Sequence, residues 1–381
     1  MRFVFAPDSF KGSASAIRVC EILTGAAHRY FPDAECVSLP VADGGEGTID
    51  AMMSILGGEL ISETVTSPTG DEIEAQMACL GDGRYLIEMA RCAGLTLVKP
   101  SQRNPLYLST YGVGEMIAKA LDRGAEDILI GLGGSATNDG GMGLLCALGA
   151  TFRSSSGRLL DGIGADLDKV ASIDLSHLHP GLSRAHLTVI SDVTNPLLGT
   201  NGATRVYGPQ KGADALTLEK LEKGMTHYAD MFYDLFSLDI ASFPGSGAAG
   251  GCGAALCGVL RAEMRRGIDE VLDTADFDSL MPDCDLVVTG EGRVDGQTAR
   301  FGKVPAGVLT RAEAYRVPCA VITGGMGPDA EALYDLGNAM IFPIVNAPMT
   351  LEYAMESAET LIRQTAERLF WAFRAGIDIH K

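Results

Sequence analysis

The sequence has no apolar run long enough to cross a membrane as a helix, which needs about 20 residues. Basic residues are also scarce, since 30 Lys and Arg stand against 49 Asp and Glu and give a net charge of −19. A chain this acidic repels phosphate backbones and anionic lipid. We therefore expect neither a nucleic-acid partner nor a membrane partner.

Residues for two other kinds of chemistry are scarce as well. The nine cysteines are an odd number and include no CxxC pair, and the chain opens on a predicted strand instead of a signal sequence. We therefore expect reduced cysteines and a cytoplasmic protein. The sequence has six histidines, and none adjoins a segment rich in Gly and Asp, so Ser–His–Asp hydrolysis lacks a visible base.

Glycine is the residue in excess. The chain has 47 glycines among 381 residues, about 12%, where roughly 7% is usual. Hydrophobic residues make up 46% and charged residues 21%, which is a globular balance, and the length favours two or three domains. We expect many tight turns and close backbone approaches.

Short β-rich runs alternate with amphipathic stretches, a pattern that predicts an α/β protein with largely parallel sheets. The two ends of the chain share this rhythm, and together they supply five strands, the number expected for a small doubly wound sheet. The predicted strands are 2–6, 36–39, 286–289, 320–323 and 340–344. The predicted helices are 14–30, starting near a Ser13 cap, then 48–56, 304–315, 329–336 and 351–375.

The middle of the chain has a different pattern. Residues 60–90 alternate as antiparallel strands separated by turns rich in Gly, Pro and Asp. Later segments are predicted as strands 127–131 and 187–191, helices 113–121, 141–148, 216–235 and 251–263, and a loop over 151–160. We expect an outer domain of residues 1–59 plus 268–381, with residues 60–267 inserted. Two sequential domains divided near residue 200 remain an alternative.

Polar residues follow the first two predicted strands. Asp8, Ser9 and Lys11 come after the first, and Asp43 after the second. In open α/β sheets ligands bind where the strands end, so these residues are candidates for a site. The alternative is that the acids organise turns and that Lys11 is solvated.

The segment 131–143 runs from a strand into a helix and combines glycines with hydroxyl side chains. Backbone N–H groups at such a point can converge on an anion, which predicts a phosphate cradle. The candidate ligands are Gly133, Gly134, Ser135, Thr137, Asn138 and Asp139. A Rossmann dinucleotide loop and simple packing glycines are the alternatives, although the acidic residue that a dinucleotide site needs is not convincing.

Three further segments supply candidates. Asp192 and Asn195 follow another strand, and Lys211 in the next loop could hold a phosphate or a carboxylate as a point charge. Gly250 and Gly251 open a predicted helix as a second anion site, although a close helix crossing explains them equally well.

Carboxylates also follow the predicted strand 286–289. Glu291 and Asp295 are candidates for a magnesium site or a base, and Lys303 for phosphate. The spacing excludes a P-loop, because Val304 stands where a Ser or Thr must hold magnesium. Carboxylates, hydroxyls, lysines and backbone amides together suit phosphoryl transfer with a metal ion.

These motifs closely resemble the bacterial type I glycerate kinases. The resemblance rests on residues 6–13, 41–48, 131–143, 191–199, 202–213, 245–256 and 289–308, which extend in order over nearly the whole chain. Small departures occur at Ala14 and at Cys92-Ala93. The resemblance implies a flavodoxin-like domain interrupted by a second α/β domain that is similar to restriction endonucleases.

The resemblance also implies ATP-dependent phosphorylation of D-glycerate, usually at the 2-hydroxyl, in glycerate, glyoxylate and sugar-diacid catabolism. ATP and Mg²⁺ are then the expected cofactors. From chemistry, Asp192 or Asp8 is the candidate base, and Lys11 and Lys211 are candidates for phosphate or carboxylate. The candidate magnesium ligands are Asp43, Glu291 and Asp295.

Three other functions remain open at this point. A glycerate 3-kinase would differ only in the hydroxyl that it phosphorylates. An NAD-dependent hydroxyacid dehydrogenase would take a similar substrate, but the chain lacks the expected ribose-binding acid and a catalytic His. A sugar-acid sensor would bind glycerate without consuming ATP. The sequence alone leaves the oligomeric state undecided.

Overall fold

A computed structural model describes residues 1–42, 44–45, 47–81 and 83–379 of the chain. It is a mixed α/β structure that divides into two compact units. The first unit comprises Met1–Asp43, Asp50–Gly57 and Gly267–Lys381, and the second comprises Gly44–Ile49 and Gly58–Arg266. Residues 44–49, which were expected in the outer domain, belong to the second unit. That each unit folds as an independent domain stays a prediction.

The strands are short, as is usual for α/β proteins. In chain order they are β1 (Arg2–Pro7), β2 (Glu35–Ser38), β3 (Glu59–Thr66), β4 (Glu72–Gly81), β5 (Arg84–Glu88), β6 (Asp127–Gly131), β7 (Thr151–Arg153), β8 (Ser172–Asp174), β9 (His186–Ile190), β10 (Glu263–Arg265), β11 (Leu286–Glu291), β12 (Cys319–Thr323) and β13 (Ala339–Pro343).

Helices connect most of these strands. They are α1 (Ala16–Tyr30), α2 (Thr48–Leu56), α3 (Met89–Ala93), α4 (Tyr111–Asp122), α5 (Met142–Ala147), α6 (Ala203–Tyr207), α7 (Ala215–Phe236), α8 (Ala248–Gly253), α9 (Gly267–Thr274), α10 (Phe277–Leu280), α11 (Gly296–Phe301), α12 (Val304–Ala314), α13 (Leu351–Glu356) and α14 (Ala358–Ile379). No helix within the described part of the chain has the length and apolar character that a membrane span requires.

The first unit contains a five-stranded sheet in the order β13-β12-β11-β1-β2, and all neighbouring pairs are parallel. Its central strands are continuous apolar runs, because a parallel sheet is covered on both faces. Phe3, Val4 and Phe5 of β1 are completely buried, as are Val287 and Val288 of β11. The prediction of five strands from the two ends of the chain is confirmed.

Helix α1 shows how the sequence specifies a local element of this unit. The Ser15 side chain accepts a bond from the Arg18 N–H and caps the helix, a contact that stabilises it by about 1 kcal/mol. The predicted start near Ser13 is therefore wrong by two residues. Val19 and Leu23, one turn apart, are buried in the core of the unit.

The end of the chain differs from prediction. Residues 351–375 form two helices, because Ser357 has φ −94° and ψ 6° and interrupts the helical run after α13. Thr350 caps α13 by accepting a bond from the Tyr353 N–H. The predicted helix 329–336 is a 3₁₀ helix over Ala330–Leu336.

The second unit contains a six-stranded mixed sheet in the order β10-β9-β6-β5-β4-β3. The pairs β3–β4 and β4–β5 are antiparallel, as predicted for residues 60–90, and the other pairs are parallel. Strand β6 has the predicted bounds, because its DILIG run is an uninterrupted apolar segment between polar ends.

Two predictions for this unit hold only in part. Residues 252–259 of the expected helix 251–263 are helical, but the helix begins irregularly, because Ala249, Gly250 and Gly251 adopt left-handed φ values between 53° and 97°. A π-helical turn over Ala254–Val259 follows, and then strand β10. In the expected loop 151–160, residues 151–153 form strand β7, which pairs antiparallel with β8 in a separate two-stranded sheet. All nine cysteines are free thiols.

Candidate functional site

The first unit has a cavity of about 350 Å³ at the carboxyl ends of its parallel strands. Asp8, Ser9 and Lys11 line it directly after β1, and Glu291 lines it at the last position of β11. Lys303, the residue before α12, lines it as well. Five residues that were predicted from three separate motifs therefore share one cavity, at the edge where open α/β sheets bind ligands.

The loop after β1 is built around Asp8. Its side-chain Oδ1 accepts a bond from the Ser9 N–H at 2.6 Å, and its own N–H donates to the Gly290 carbonyl at 2.8 Å. Gly12 adopts φ +76°, a left-handed conformation that favours glycine. The buried Asp8 carboxylate is thus fixed at the cavity wall.

The carboxylates predicted for magnesium differ in position. Glu291 is buried and its Oε1 accepts a bond from the Thr298 hydroxyl at 2.8 Å. Asp295 caps α11, because its Oδ1 accepts from the Gln297 N–H at 2.9 Å and Thr298 completes a capping box. Asp295 does not line the cavity, whereas Asp8 and Glu291 do. Asp43 lies outside the described residues.

The carboxylates of this cavity suit a magnesium ion that is also held by substrate phosphates and water. Among the described residues no group of three His, Cys, Asp or Glu could hold a metal ion. Magnesium in phosphoryl-transfer sites is commonly bound by one or two carboxylates together with substrate phosphates and water. Asp8 and Glu291 match that requirement, and a closed protein cage is not needed.

The second unit brings Lys211 and Ser135 together, as their two motifs suggested. Lys211 is 2% exposed, and its Nζ donates to the Ser135 Oγ at 2.8 Å and to the Thr137 carbonyl at 2.7 Å. Burial lowers the pKa of Lys211 from 10.5 to about 8. We call Ser135, Thr137 and Lys211 the lysine cluster.

Two buried oxygens, one in the lysine cluster and one on the next residue, support the cluster as a candidate binding site. The Thr137 Oγ1 and the Asn138 Oδ1 are buried without a hydrogen-bond partner among the described atoms. Buried polar atoms normally have hydrogen-bond partners, so an unpaired buried oxygen is a candidate for a contact with a bound molecule. The Asn138 amide itself donates to the Thr204 hydroxyl at 2.9 Å, a partner that the sequence pattern did not indicate.

Asp139 anchors the loop and is not placed as a phosphate ligand. It is completely buried, and its carboxylate accepts bonds from the Thr110 N–H and hydroxyl at 2.8 and 2.7 Å. The N–H groups of Gly141 and Gly143 donate to it at 3.1 and 3.3 Å. Burial raises the pKa of Asp139, and these bonds oppose the rise. The phosphate contact expected of Asp139 gains no support from this geometry.

Part of the backbone of the predicted cradle is used inside the protein. The N–H of Gly133 donates to the Gly44 carbonyl at 3.3 Å, and the N–H of Gly140 donates to the Gly250 carbonyl at 3.0 Å. Gly134 has φ +73° and supplies a turn. The amides of Gly133 and Gly140 are therefore committed to the protein, while the phosphate contacts expected of Gly134, Ser135 and Thr137 stay a prediction.

Gly250 and Gly251 are explained by close packing. A Cβ atom on Gly250 would lie 2.1 Å from the Thr137 carbonyl oxygen, and one on Gly251 would lie 2.7 Å from the Gly140 Cα. Both residues are left-handed, and helical backbone follows them. These contacts support the close-approach alternative, while the anion contact expected of Gly250 and Gly251 stays a prediction.

The last predicted pair lies in the loop that follows β9. Asp192 is half-buried two residues beyond the strand. Asn195 organises the loop, because its Oδ1 accepts from the Tyr207 hydroxyl at 2.8 Å and its Nδ2 donates to the Asn201 carbonyl at 2.8 Å. These bonds give Asn195 a structural role, while Asp192 stays the candidate base.

Sequence reasoning missed part of the cavity in the first unit. Arg293 adds a cation to its lining, and Phe10, Leu351 and Met355 add apolar surface. Leu351 and Met355 are four residues apart in α13, and this helical spacing was the available signal. It was hidden because residues 351–375 were expected to form one packed helix.

Comparison with known proteins identifies the family of the chain. A model of the Glycerate kinase family matches residues 3–374. The chain belongs to the glycerate kinase family. It is therefore a kinase enzyme, and the dehydrogenase and sensor alternatives are set aside.

The relatives of this glycerate kinase family member cover its whole length. A glycerate kinase from Bacillus cereus is 42% identical over 381 residues, 100% of both chains. A glycerate 2-kinase from Escherichia coli K12 is 42% identical over 359 residues, 94% of both chains. A crystal structure of a protein provisionally named glycerate kinase 2, from Salmonella typhimurium LT2, aligns with TM-score 0.87 and 42% identity over 99% of both chains.

Proposed function

We propose that this kinase transfers the γ-phosphoryl group of ATP to the 2-hydroxyl of D-glycerate. The products are 2-phospho-D-glycerate and ADP, made in the cytoplasm during glycerate, glyoxylate or sugar-diacid catabolism. The observation that carries the proposal is the convergence of Asp8, Lys11, Glu291 and Lys303 on one cavity of a glycerate kinase family member. The relative named a 2-kinase supports the 2-position.

The reaction requires an anion site for phosphate and an anion site for the glycerate carboxylate. The chain has two groups of candidates, the cavity of the first unit and the lysine cluster of the second. Lys211 has three N–H donors, of which Ser135 and Thr137 take two. We propose that the third donates to a substrate anion.

A carboxylate removes the proton of the glycerate hydroxyl as the oxygen attacks. The new O–P bond forms while the bond from the γ-phosphorus to the β,γ-bridging oxygen breaks, and ADP leaves with that electron pair. Asp192 or Asp8 is the proposed base. Lys11 and Lys303 stabilise the charge that develops on the phosphoryl oxygens.

Mg²⁺ would supply charge neutralisation between the phosphates when it is bound. Glu291 is a proposed ligand, and Asp8 would be a second one if Asp192 is the base, since both acids line the cavity. The cap position of Asp295 makes it a positioning residue for Glu291 through Thr298. Ser9 is proposed to contact substrate from the same loop as Asp8.

We also propose that the first unit is flavodoxin-like and that the second is similar to restriction endonucleases. Numbered within the first unit alone, its five strands lie in the order 2-1-3-4-5, and this order supports the first assignment. The mixed six-stranded sheet is compatible with the second assignment.

A coupled assay of ADP release tests the function. We expect release from ATP with D-glycerate and much less with glycerol or tartronate. Phosphorus NMR of the product should show phosphate on the secondary carbon. A 3-phosphoglycerate product would replace the 2-kinase assignment with a 3-kinase assignment, and the lack of glycerate-dependent ADP release would refute the proposal.

A further inference from the structure

The cavity of the first unit has a large apolar side in addition to its charged residues. We define the apolar wall as Phe10, Ile344, Leu351, Met355 and Ala358. Phe10, Ile344 and Ala358 are buried, and the first two belong to the core of the unit. This side of the cavity is therefore rigid.

The other two members of the apolar wall are exposed. Leu351 is 77% exposed and Met355 is 39% exposed, and they lie one turn apart in α13. Neither is needed to fill the core. Two large apolar side chains held at the mouth of a cavity, beside buried apolar neighbours, offer a surface to an apolar ligand face.

The loop after β1 leaves room for the Met355 side chain. A Cβ atom on Gly12 would lie 3.0 Å from the Met355 Cε, so glycine at this position leaves room for the methionine. Gly12 also directly follows Lys11. The same loop therefore carries a cation and accommodates part of the apolar wall.

Charged side chains also line the cavity. Lys11, Arg293 and Lys303 bring three cations to the cavity, against the carboxylates of Asp8 and Glu291, and Asp295 lies 3.9 Å from the Arg293 guanidinium. Three cations at one cavity are unusual in a chain with a net charge of −19. The cavity thus combines an apolar surface with a site for a polyanion.

We propose that this cavity binds the nucleotide of the reaction, with the purine against the apolar wall and the phosphates at Lys11 and Lys303. The inference rests on the proposed function and adds the location and the base contact. A purine has two apolar faces that such a wall can cover. The volume of about 350 Å³ lies in the range of small-molecule sites.

Glycerate is a poor match for the same lining. Each of its three carbons carries oxygen, so it has no face that would cover five apolar side chains. A site for glycerate alone would leave the apolar wall in contact with water. The nucleotide is the substrate whose chemistry uses both the wall and the cations.

The test is a variant that removes the exposed part of the wall, Leu351→Ser together with Met355→Ser. We expect the KM for ATP and the inhibition constant of adenosine to rise about tenfold or more, because apolar burial is lost. Inhibition by tripolyphosphate, which has no base, should change less than about twofold. The KM for glycerate and the kcat at saturating ATP should also stay within about twofold of the parent values.

Tyr353→Ser is the matched control. Tyr353 is also exposed, at 56%, and lies on α13 without lining the cavity. We expect parent values for every constant. Met355→Leu should keep adenosine inhibition, because a leucine retains the apolar surface. If the double variant unfolds, which circular dichroism would show, the single variant Met355→Ser gives the same comparison at about half the effect on a logarithmic scale.

Three results would overturn the inference. These are an unchanged adenosine inhibition constant, a rise in the KM for glycerate without a rise for ATP, or an equal loss of tripolyphosphate inhibition. A parent enzyme that releases no ADP with glycerate would refute the proposed function instead. In that case direct titration with N-methylanthraniloyl-ATP still tests whether the double variant loses nucleotide binding.

Discussion

The cavity of the first unit and the lysine cluster of the second use polar residues in opposite ways. In the cavity, Asp8, Lys11 and Lys303 stand at strand ends and helix starts and line an accessible volume. In the second unit, Lys211 and Asp139 are almost fully buried and bond to neighbouring groups of the protein. The first arrangement prepares a surface for a ligand, whereas much of the second holds loops in place.

A glycine-rich segment with polar residues can therefore bind a ligand or stabilise its own loop. The segment 131–143 has the composition of a phosphate cradle, but several of its amides and the Asp139 carboxylate bond within the unit. Only its hydrogen bonds show whether a residue stabilises the loop, as an anchor, or binds substrate, as a ligand. Variants that separate anchors from ligands therefore test the comparison directly.

The largest effect is expected from removing the base. Asp192→Asn should lower kcat by about 100-fold to 10,000-fold with a modest change in KM, since general base catalysis is lost while the side-chain volume is kept. Steady-state kinetics of ADP release measures it. Near-normal turnover would reject Asp192, and a comparable loss in Asp8→Asn would move the base to the first unit.

The next effect is on stability. Asp139→Ala removes the acceptor of four buried bonds and should lower the free energy of unfolding of the second unit by about 3–5 kcal/mol. Urea unfolding followed by circular dichroism measures it. Asp230→Ala, at an exposed position of α7, should change stability little. A stable Asp139 variant with impaired kinetics would show that Asp139 is a ligand after all.

The contribution of Lys211 should have opposite signs in the pH dependence of stability and in that of activity. The pKa of Lys211 is about 8 when folded and 10.5 otherwise, so the unfolded chain binds more protons between these values. The contribution of Lys211 to stability therefore rises with pH across that window, by up to about 1.4 kcal/mol per pH unit.

Activity should fall above pH 8, up to about tenfold per pH unit, if the Lys211 ammonium holds a substrate anion. The pH profile of kcat/KM and unfolding at several pH values provide the measurements. The unfolding free energy of the parent relative to that of Lys211→Met should rise from pH 8 to 10.5, whereas the buried thiols, whose pKa values burial raises, affect both proteins alike. Activity that is flat through this range in the parent enzyme would remove Lys211 from substrate binding.

The smallest effect is expected at the rim of the cavity. Lys11→Ala should raise the KM for ATP about tenfold, because one partly solvated phosphate contact is lost. The control is Lys223→Ala, at an exposed position of α7, which should leave both KM values unchanged. Unchanged KM values for both substrates in the Lys11 variant would dismiss the role of this lysine.

The sequence was most informative where an element is a continuous apolar run. Strand β6 and the five strands of the first unit follow from such runs, and the residues at their ends follow from the rule for ligand positions in open sheets. The left-handed backbone at Ala249 could not be predicted in this way. A non-glycine residue gives no local signal that tertiary contacts will force it out of the helical region.

The candidate site was also predictable only in part, because tertiary contacts decide the roles of its residues. The polar residues at strand ends could be proposed from their positions, but the roles of Asp139 and Asp295 depend on which N–H groups surround them. An acid that caps a helix and an acid that binds a ligand share the same sequence context. The apolar wall was missed because the break at Ser357 separates α13 from α14.

The pairing of β1 with β11 has a consequence for synthesis on the ribosome. The Thr289 hydroxyl donates to the Ala6 carbonyl across 283 residues of chain, and the two strands are adjacent in the sheet. At about 5–20 residues per second, β1 waits roughly 15–60 s for its neighbour to be translated. During that interval an apolar strand is exposed, so a chaperone that shields the nascent N-terminal segment should raise the yield of this enzyme.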